Sequence, residues 1–329
     1  MKKNILKLLI SIFLLLNFTQ NIYTSGRFNK KYFIYSNTSC EQISFGKDKN
    51  VYTYPSKKYG KCALVKYNKI SKQSINLYTT EVNFLTTLNH ENIIKLIDND
   101  QKNLIFFLEK GETDLYDYIY KSKLKTIEEK LNILEQIAQA LVYLHNQGII
   151  HGDIKTENVV LVNNKCKLID FSYSLQTDED GQISINYTQG TDIYAAPEIL
   201  NSMLEETRKN YILSTKSDIW SFGMLAYVVM VQKIPDKAFE ETYKHKYSLK
   251  EYISAILGEK LLPGKENKKI YWIPQLPAIT TKNCILNKLI KLCLQLDPNN
   301  RPTAQEILEW IRAIKRDLNG EFSFEDLNY

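Results

Sequence analysis

His151, Gly152, Asp153, Ile154, Lys155, Thr156, Glu157 and Asn158 follow one another in the chain, and twelve residues after Asn158 come Asp170, Phe171 and Ser172. A carboxylate, a lysine and an amide at this spacing can face one reacting centre from a single loop. A second carboxylate arriving from a short hairpin can complete a divalent-metal site, since Mg2+ prefers oxygen ligands and takes substrate phosphates into its shell. The strand-like run VVLV after Asn158 offers one arm of that hairpin. The chemistry such a set suits is charge handling on a phosphate-bearing substrate.

Those residues need elements to hold them. KCALVKY (61–67) and NLIFFLEK (103–110) are strand-like, and Ser74 to Leu88 has helical spacing. From Thr126 the texture becomes helical: Ile127, Leu131, Leu134, Ala138 and Leu141 recur at three- and four-residue steps. Gly148 is placed to end that helix. Ser217 to Val231 is apolar almost all round but too short to span a bilayer, which predicts a helix buried in the protein core. Two more helices are predicted at about 282–295 and 303–318. A small β-rich part followed by a larger helical part predicts two lobes with a cleft between them.

With 329 residues, 44% hydrophobic and 24% charged, the chain has globular composition and room for a sizeable core. Its net charge of +6 is modest and its lysines are spread along the sequence, so nucleic acid is not expected as a partner. Cys40, Cys62, Cys166, Cys284 and Cys293 form no CxxC pair and are read as free thiols buried like small hydrophobes. The chain opens with Met1, Lys2 and Lys3 and then the apolar run LLISIFLLL, from Leu8 to Leu16. That run is about half of a membrane span and fits a signal peptide, with Thr24 and Gly26 near a cleavage point. Residues 1–26 are therefore expected to be a signal peptide or membrane anchor. The compartment expected is the secretory pathway, secreted or anchored to a membrane through this segment alone if it stays uncleaved, with the cytoplasm as the alternative. Free thiols favour that alternative.

The catalytic-loop string and Asp170-Phe171-Ser172 together resemble the catalytic loop and metal-binding element of the eukaryotic protein kinase superfamily, from about residue 40 to about 318. Further elements arrive in the family's order. Gly190, Thr191, Tyr194, Ala196, Pro197 and Glu198 resemble the segment that cradles the acceptor. Asp218 resembles the carboxylate that ties the buried helix to the catalytic loop, and Arg301 the partner of Glu198 in an ion pair. The resemblance implies an α+β, bilobal fold, with an N-lobe at 40–111 and a C-lobe at 112–318. A lead-in at 27–39 would precede it and a tail at 319–329 would follow.

It also implies the activity: a serine/threonine kinase that moves the γ-phosphate of ATP, with Mg2+, to a protein hydroxyl. Asp153 would accept or orient the hydroxyl proton, Lys155 would neutralise the moving phosphoryl group, and Asn158 and Asp170 would hold the metal. Lys66 resembles the lysine that holds the α- and β-phosphates, and Glu81 its ion-pair partner. Glu109, Lys110 and Gly111 resemble the hinge that binds adenine through its backbone, behind Leu108. Val51 and Leu64 above and Val160 below would sandwich the purine.

Four departures from the family stand out. The phosphate-covering loop should read GxGxxGxV but runs from Ser44 to Val51, and of its glycines only Gly46 survives. Weaker ATP binding is expected, with Lys47 or Lys49 compensating in part. Leu64 stands where alanine is usual. HGD replaces HRD, so activity is not expected to need a phosphorylated activation loop. DFS replaces DFG. These departures keep open the alternative of a pseudokinase scaffold that binds partners with weak catalysis or none. HGDIK, the NVY at 50–52 and LEKGE at 108–112 are similar to the T-LAK-cell-originated kinase group, whereas GTDIYAAPE is of ordinary type. The stretch from Pro235 to Pro277 is read as a solvated loop with one short helix, and the sequons at Asn17, Asn37 and Asn186 as chance matches in an Asn-rich chain.

Overall fold

The computed structural model describes residues 32–35, 38–122, 124, 126–179, 181–185, 194–199, 211–232 and 281–320. Residues 1–26, the sequon asparagines Asn17, Asn37 and Asn186, Gly190 and Thr191, and the stretch 235–277 lie outside them, as does most of 319–329.

The N-terminal part is one antiparallel sheet with a helix against it. Its strands are β1 (Tyr32–Tyr35), β2 (Thr38–Phe45), β3 (Lys49–Ser56), β4 (Gly60–Tyr67), β5 (Leu96–Asp100) and β6 (Ile105–Glu109), in the order β1-β2-β3-β4-β6-β5. The sheet therefore starts inside the segment expected to be a lead-in, because Tyr32 to Tyr35 pair with Thr38 to Glu41. Helix α1 (Lys72–Thr87) is capped by the Ser71 hydroxyl, which accepts from the Ser74 N–H. Tyr78, Glu81 and Leu85 on one side of it are buried.

The two faces of this sheet have different cores, because side chains alternate along each strand. Ala63, Val65 and Tyr67 of β4 join Tyr78, Leu85, Phe106 and Leu108 in the main core, with Val51 packed against it. Leu64 points the other way, into a smaller cluster with Cys40, Tyr52, Ile105 and Phe107. This alternation decides the phosphate-side chemistry described below.

The C-terminal part is mainly helical. The strand β7 (Thr113–Asp114) leads into α2 (Leu115–Ser122). Helix α3 (Ile127–His145) begins with a capping box between Thr126 and Glu129 and buries Leu131, Leu134, Ala138 and Leu141. Gly148 follows it at φ +66°, in the left-handed region that lets the chain turn into β8 (Ile149–Ile150). The arms β9 (Val159–Val162) and β10 (Lys165–Leu168) make a hairpin whose two-residue turn places both Asn163 and Asn164 at positive φ. Short pairs follow: β11 (Leu175–Gln176) with β8, then β12 (Gln182–Ile185) with β13 (Tyr211–Ser214).

Helix α4 (Lys216–Val231) is buried on almost all sides, which is why its sequence is apolar all round. Helix α5 (Thr281–Cys293) packs on it. Helix α6 (Ala304–Leu318), capped by Thr303 and Glu306, lays Ile307, Leu308, Ile311 and Ile314 into the core against α3. Among the described residues no helix is long and apolar enough to cross a membrane. Cys40, Cys62, Cys166 and Cys293 are free and buried.

Candidate active site

The loop between β8 and β9 carries the densest polar network. The Lys155 ammonium lies 2.6 Å from Asp153 Oδ2. Asn158 Nδ2 donates to the same oxygen and to the Asp153 carbonyl, both at 2.8 Å. A short 3-10 turn at Thr156–Asn158 brings these three side chains together. The amide nitrogen of Asn158 is thus committed to Asp153, and its carbonyl oxygen is the end suited to a cation.

This loop is fixed from below by Asp218, at the start of α4. Its carboxylate accepts from the N–H groups of His151 (2.8 Å) and Gly152 (3.0 Å) and meets His145 Nε2 at 3.0 Å. Burial alone would raise the Asp218 carboxyl, but the hydrogen bond and charge of His145 hold it below the ordinary value. His151 is buried too, which keeps its imidazole neutral. Its Nε2–H donates to the Ile169 carbonyl (3.1 Å), and its Nδ1 accepts from the Asp153 N–H (3.3 Å). Its ring lies 4.8 Å from that of Phe171.

Gly152 answers to geometry. It sits at φ +83°, and a Cβ there would come within 2.5 Å of the Tyr173 carbonyl oxygen. No ordinary side chain fits without the loop shifting.

Asp170 follows β10 and stands at φ +66°, unusual for a residue with a side chain. Its Oδ1 accepts from Lys49 Nζ (2.7 Å) and from the Ser172 hydroxyl (2.6 Å), which ties the strained backbone in place. Burial would raise this carboxyl, but the charge and hydrogen bond of Lys49, with Ser172, lower it to about 2. The Asp170 carboxylate and the Asn158 side-chain amide oxygen provide two oxygen ligands of the hard kind that Mg2+ takes together with phosphates, so the residues present fit that ion.

Glu81 on α1 is where sequence and structure part. Lys66 was expected to be its partner. Instead Lys49 Nζ reaches Glu81 Oε2 at 2.7 Å, and the Tyr67 hydroxyl donates to the same oxygen at 3.1 Å. Lys66 pairs across the sheet with Asn50, one residue out of phase with Lys49 and Tyr67, which are themselves cross-strand partners. In a strand, one residue out of phase means the opposite face. Lys66 therefore shares the face of Leu64, away from Glu81. Burial would depress the Lys49 ammonium, but Asp170 and Glu81 overcome it and raise it above the ordinary lysine value. Burial, with the nearby Asp170 charge and against Lys49, pushes Glu81 up to about 7.

The same phase corrects Leu64, expected over the purine: it packs in the outer cluster. Val65, the cross-strand partner of Val51, is the β4 residue beside it on the inner face. Val160 on β9 also packs against the inner core, and a Cβ on Gly111 would lie 3.0 Å from the Val160 Cβ, so Gly111 sits against Val160. The carboxylate of Glu109, the first residue of the expected hinge, binds Lys167 (2.7 Å) and the Lys95 N–H (2.9 Å), steadying the end of β6. Gly46 makes the turn between β2 and β3. Its N–H donates to the Lys49 carbonyl at 3.0 Å, and a Cβ there would sit 2.7 Å from that oxygen.

Two residues escaped the sequence reading. Tyr67 gave no signal beyond being a tyrosine after a lysine. Asn68 ties down the β2–β3 turn, its side-chain amide donating to the carbonyls of Gly46 (3.0 Å) and Lys47 (3.1 Å). Farther off, Glu198 and Arg301 make the expected pair, in bidentate form with both contacts at 2.8 Å. Ser217 adds a hydrogen bond to Glu198 (3.0 Å). Arg301 is fully buried, donates also to three backbone carbonyls, and its guanidinium lies 5.2 Å from the Trp220 ring.

Comparison with known proteins agrees with this constellation. The protein kinase domain family matches residues 38–310. The chain is 28% identical to the SNF1-like protein kinase ssp2 of Schizosaccharomyces pombe over 80% of its own length and 41% of that protein's. It is 26% identical to serine/threonine-protein kinase 33 of Bos taurus over 88% of this chain and 54% of the relative. It is 29% identical to the dual specificity protein kinase TTK of Mus musculus, over 72% and 26%. The chain thus spans about half or less of the length of these relatives. From the catalytic-loop network, the α4 carboxylate beneath it and the Glu198–Arg301 pair, together with a family match over most of its length, the chain belongs to the protein kinase family.

Proposed function

We propose that this chain transfers the γ-phosphate of ATP to a serine or threonine hydroxyl of a protein. The observation that carries the proposal is the convergence of Lys155 and Asn158 on one carboxylate oxygen of Asp153, with Asp170 next to Ile169, whose N–H donates to the Asn158 backbone carbonyl at 3.0 Å. Asp153 takes or orients the acceptor proton as the hydroxyl oxygen forms its bond to the γ-phosphorus. The bond from that phosphorus to the β-γ bridging oxygen breaks, and ADP leaves with the electron pair. Lys155 places positive charge beside the moving phosphoryl group. Asn158 and Asp170 would hold Mg2+, which supplies charge neutralisation when bound.

The decisive experiment is incorporation of radiolabelled phosphate into a generic basic protein, with Asp153→Asn as control. Wild-type transfer should exceed the control by about 100-fold or more. Equal incorporation would instead favour the pseudokinase scaffold.

The finer reading is that the site needs no phosphorylated activation segment. It is supported by Gly152, which offers no cation to a phosphate and whose backbone admits no larger residue without a shift. Phosphatase treatment should then leave turnover unchanged. We further infer that residues 1–26 act as an export signal or membrane anchor, from the short apolar run behind two lysines. N-terminal sequencing of the native protein checks this: a start near Arg27 agrees with cleavage, and an intact Met1 refutes it.

A further inference from the structure

We propose that Lys49, on β3, is the cation that engages the nucleotide phosphates in this chain, and that Lys66 is not. The inference rests on the kinase reading above and names a residue within its site. Three observations lead there. Lys49 Nζ stands 2.7 Å from both Glu81 and Asp170, so it bridges α1 to the carboxylate that would hold the metal. A phosphate chain held by a metal on Asp170 would lie beside this ammonium. Lys66, by contrast, lies on the opposite face of β4.

The second observation is how the fold replaces one lysine by another. Lys49 and Tyr67 are cross-strand partners, and cross-strand partners on one face stand side by side, with Cβ atoms about 5 Å apart. A lysine on either strand can therefore reach the same point. Tyr67 occupies the β4 side of that pair, gives its hydroxyl to Glu81, and lies under the Lys49 ammonium at 5.8 Å from ring centroid to Nζ. Burial and the nearby Glu81 charge keep that phenol protonated, so it donates throughout.

The third observation is the support behind Lys49. The β2–β3 turn is closed by the Gly46 N–H on the Lys49 carbonyl and clamped by Asn68, whose N–H also donates to the Asp48 carbonyl at 2.8 Å. The loss of flanking glycines from this loop is thus matched by a cation carried on a braced turn.

The test uses the full chain and Mg-ATP itself, with affinity read by titration calorimetry, turnover by phosphate transfer and folding by thermal unfolding. Lys49→Met should weaken Mg-ATP binding about 10-fold or more and turnover about 100-fold or more. Lys66→Met should stay within about 3-fold of wild type on both, as expected for a side chain outside the site. Lys49→Arg should retain more affinity than Lys49→Met. The double variant Lys49→Gly with Tyr67→Lys should regain at least about 10-fold of what Lys49→Gly loses, because the charge returns from the neighbouring strand. Wild-type affinity in Lys49→Met, or a loss in Lys66→Met equal to that in Lys49→Met, would overturn the assignment while leaving the kinase reading intact. Tighter binding in Lys49→Met would do the same and make Lys49 a plug on the site. No Mg-ATP binding by the wild type would overturn both. Should the double variant not fold, the Arg and Met comparison decides.

Discussion

The C-lobe and N-lobe parts of the candidate site were built under different constraints. On the C-lobe side, Asp153, Lys155, Asn158 and Asp170 come from one loop and one hairpin, with Asp153, Lys155 and Asn158 hydrogen-bonded together and the Ile169 N–H, beside Asp170, donating to the Asn158 backbone carbonyl. On the N-lobe side, the charge that meets Glu81 comes from a different strand than the sequence indicates. A loop of fixed local geometry leaves little freedom in which residue supplies each group. A sheet face is different: any strand that presents a side chain at the right level can supply the charge, so the same function survives a change of position. The C-lobe network also stands on Asp218 and α4 beneath it. The N-lobe cation stands on a single turn held by Gly46 and Asn68.

The comparison can be broken first where the C-lobe is most rigid. Arg301→Ala leaves Glu198 without its bidentate partner and empties a fully buried site, so stability should fall by about 3–5 kcal/mol. Denaturant unfolding measures this; a loss below about 1 kcal/mol would show that the C-lobe does not depend on the pair.

A smaller effect should come from pH at Glu81. Its folded pKa of about 7 lies above the ordinary 4.5, so its contribution is fully present below pH 4.5 and is lost as pH rises through about 7. Glu81→Gln does not titrate. Its stability relative to wild type should therefore move in the variant's favour between pH 4.5 and 8, by on the order of 1 kcal/mol or more. Asp170 has the opposite sign: lowered to about 2, it contributes above its ordinary value of 3.8 and loses that contribution as pH falls through about 2. A pH-independent Glu81→Gln difference would mean Glu81 is not strained by burial.

The smallest effect is expected at the braced turn. Asn68→Ala removes two exposed hydrogen bonds, which should cost stability about 1 kcal/mol or less. Mg-ATP affinity should fall a few-fold by calorimetry, because the turn carrying Lys49 loosens. Unchanged affinity would mean that Gly46 alone holds Lys49.

Much of this was legible in the sequence. Asp153, Lys155 and Asn158 are legible as neighbours from local spacing, and the buried α4 from its composition, whereas the Glu198–Arg301 pair, 103 residues apart in sequence, was implied only by the family resemblance. Lys66 and Leu64 were misplaced for a shared reason. The run ALVKY is buried on both faces, so its hydrophobicity has no alternation from which to read which residues point inward. The strand β1 was missed because YFIY is short and gains its place only by pairing with Thr38 to Glu41.

The sequence by itself determined the family, through motifs that arrive in the family's order, and the two-part α+β organisation, through the periodicity of its segments. Only the tertiary structure decided which lysine faces Glu81. That choice depends on the phase of β4 in the sheet, and phase is set by pairing with β3 and β6 and by packing against α1 rather than by the strand's own residues.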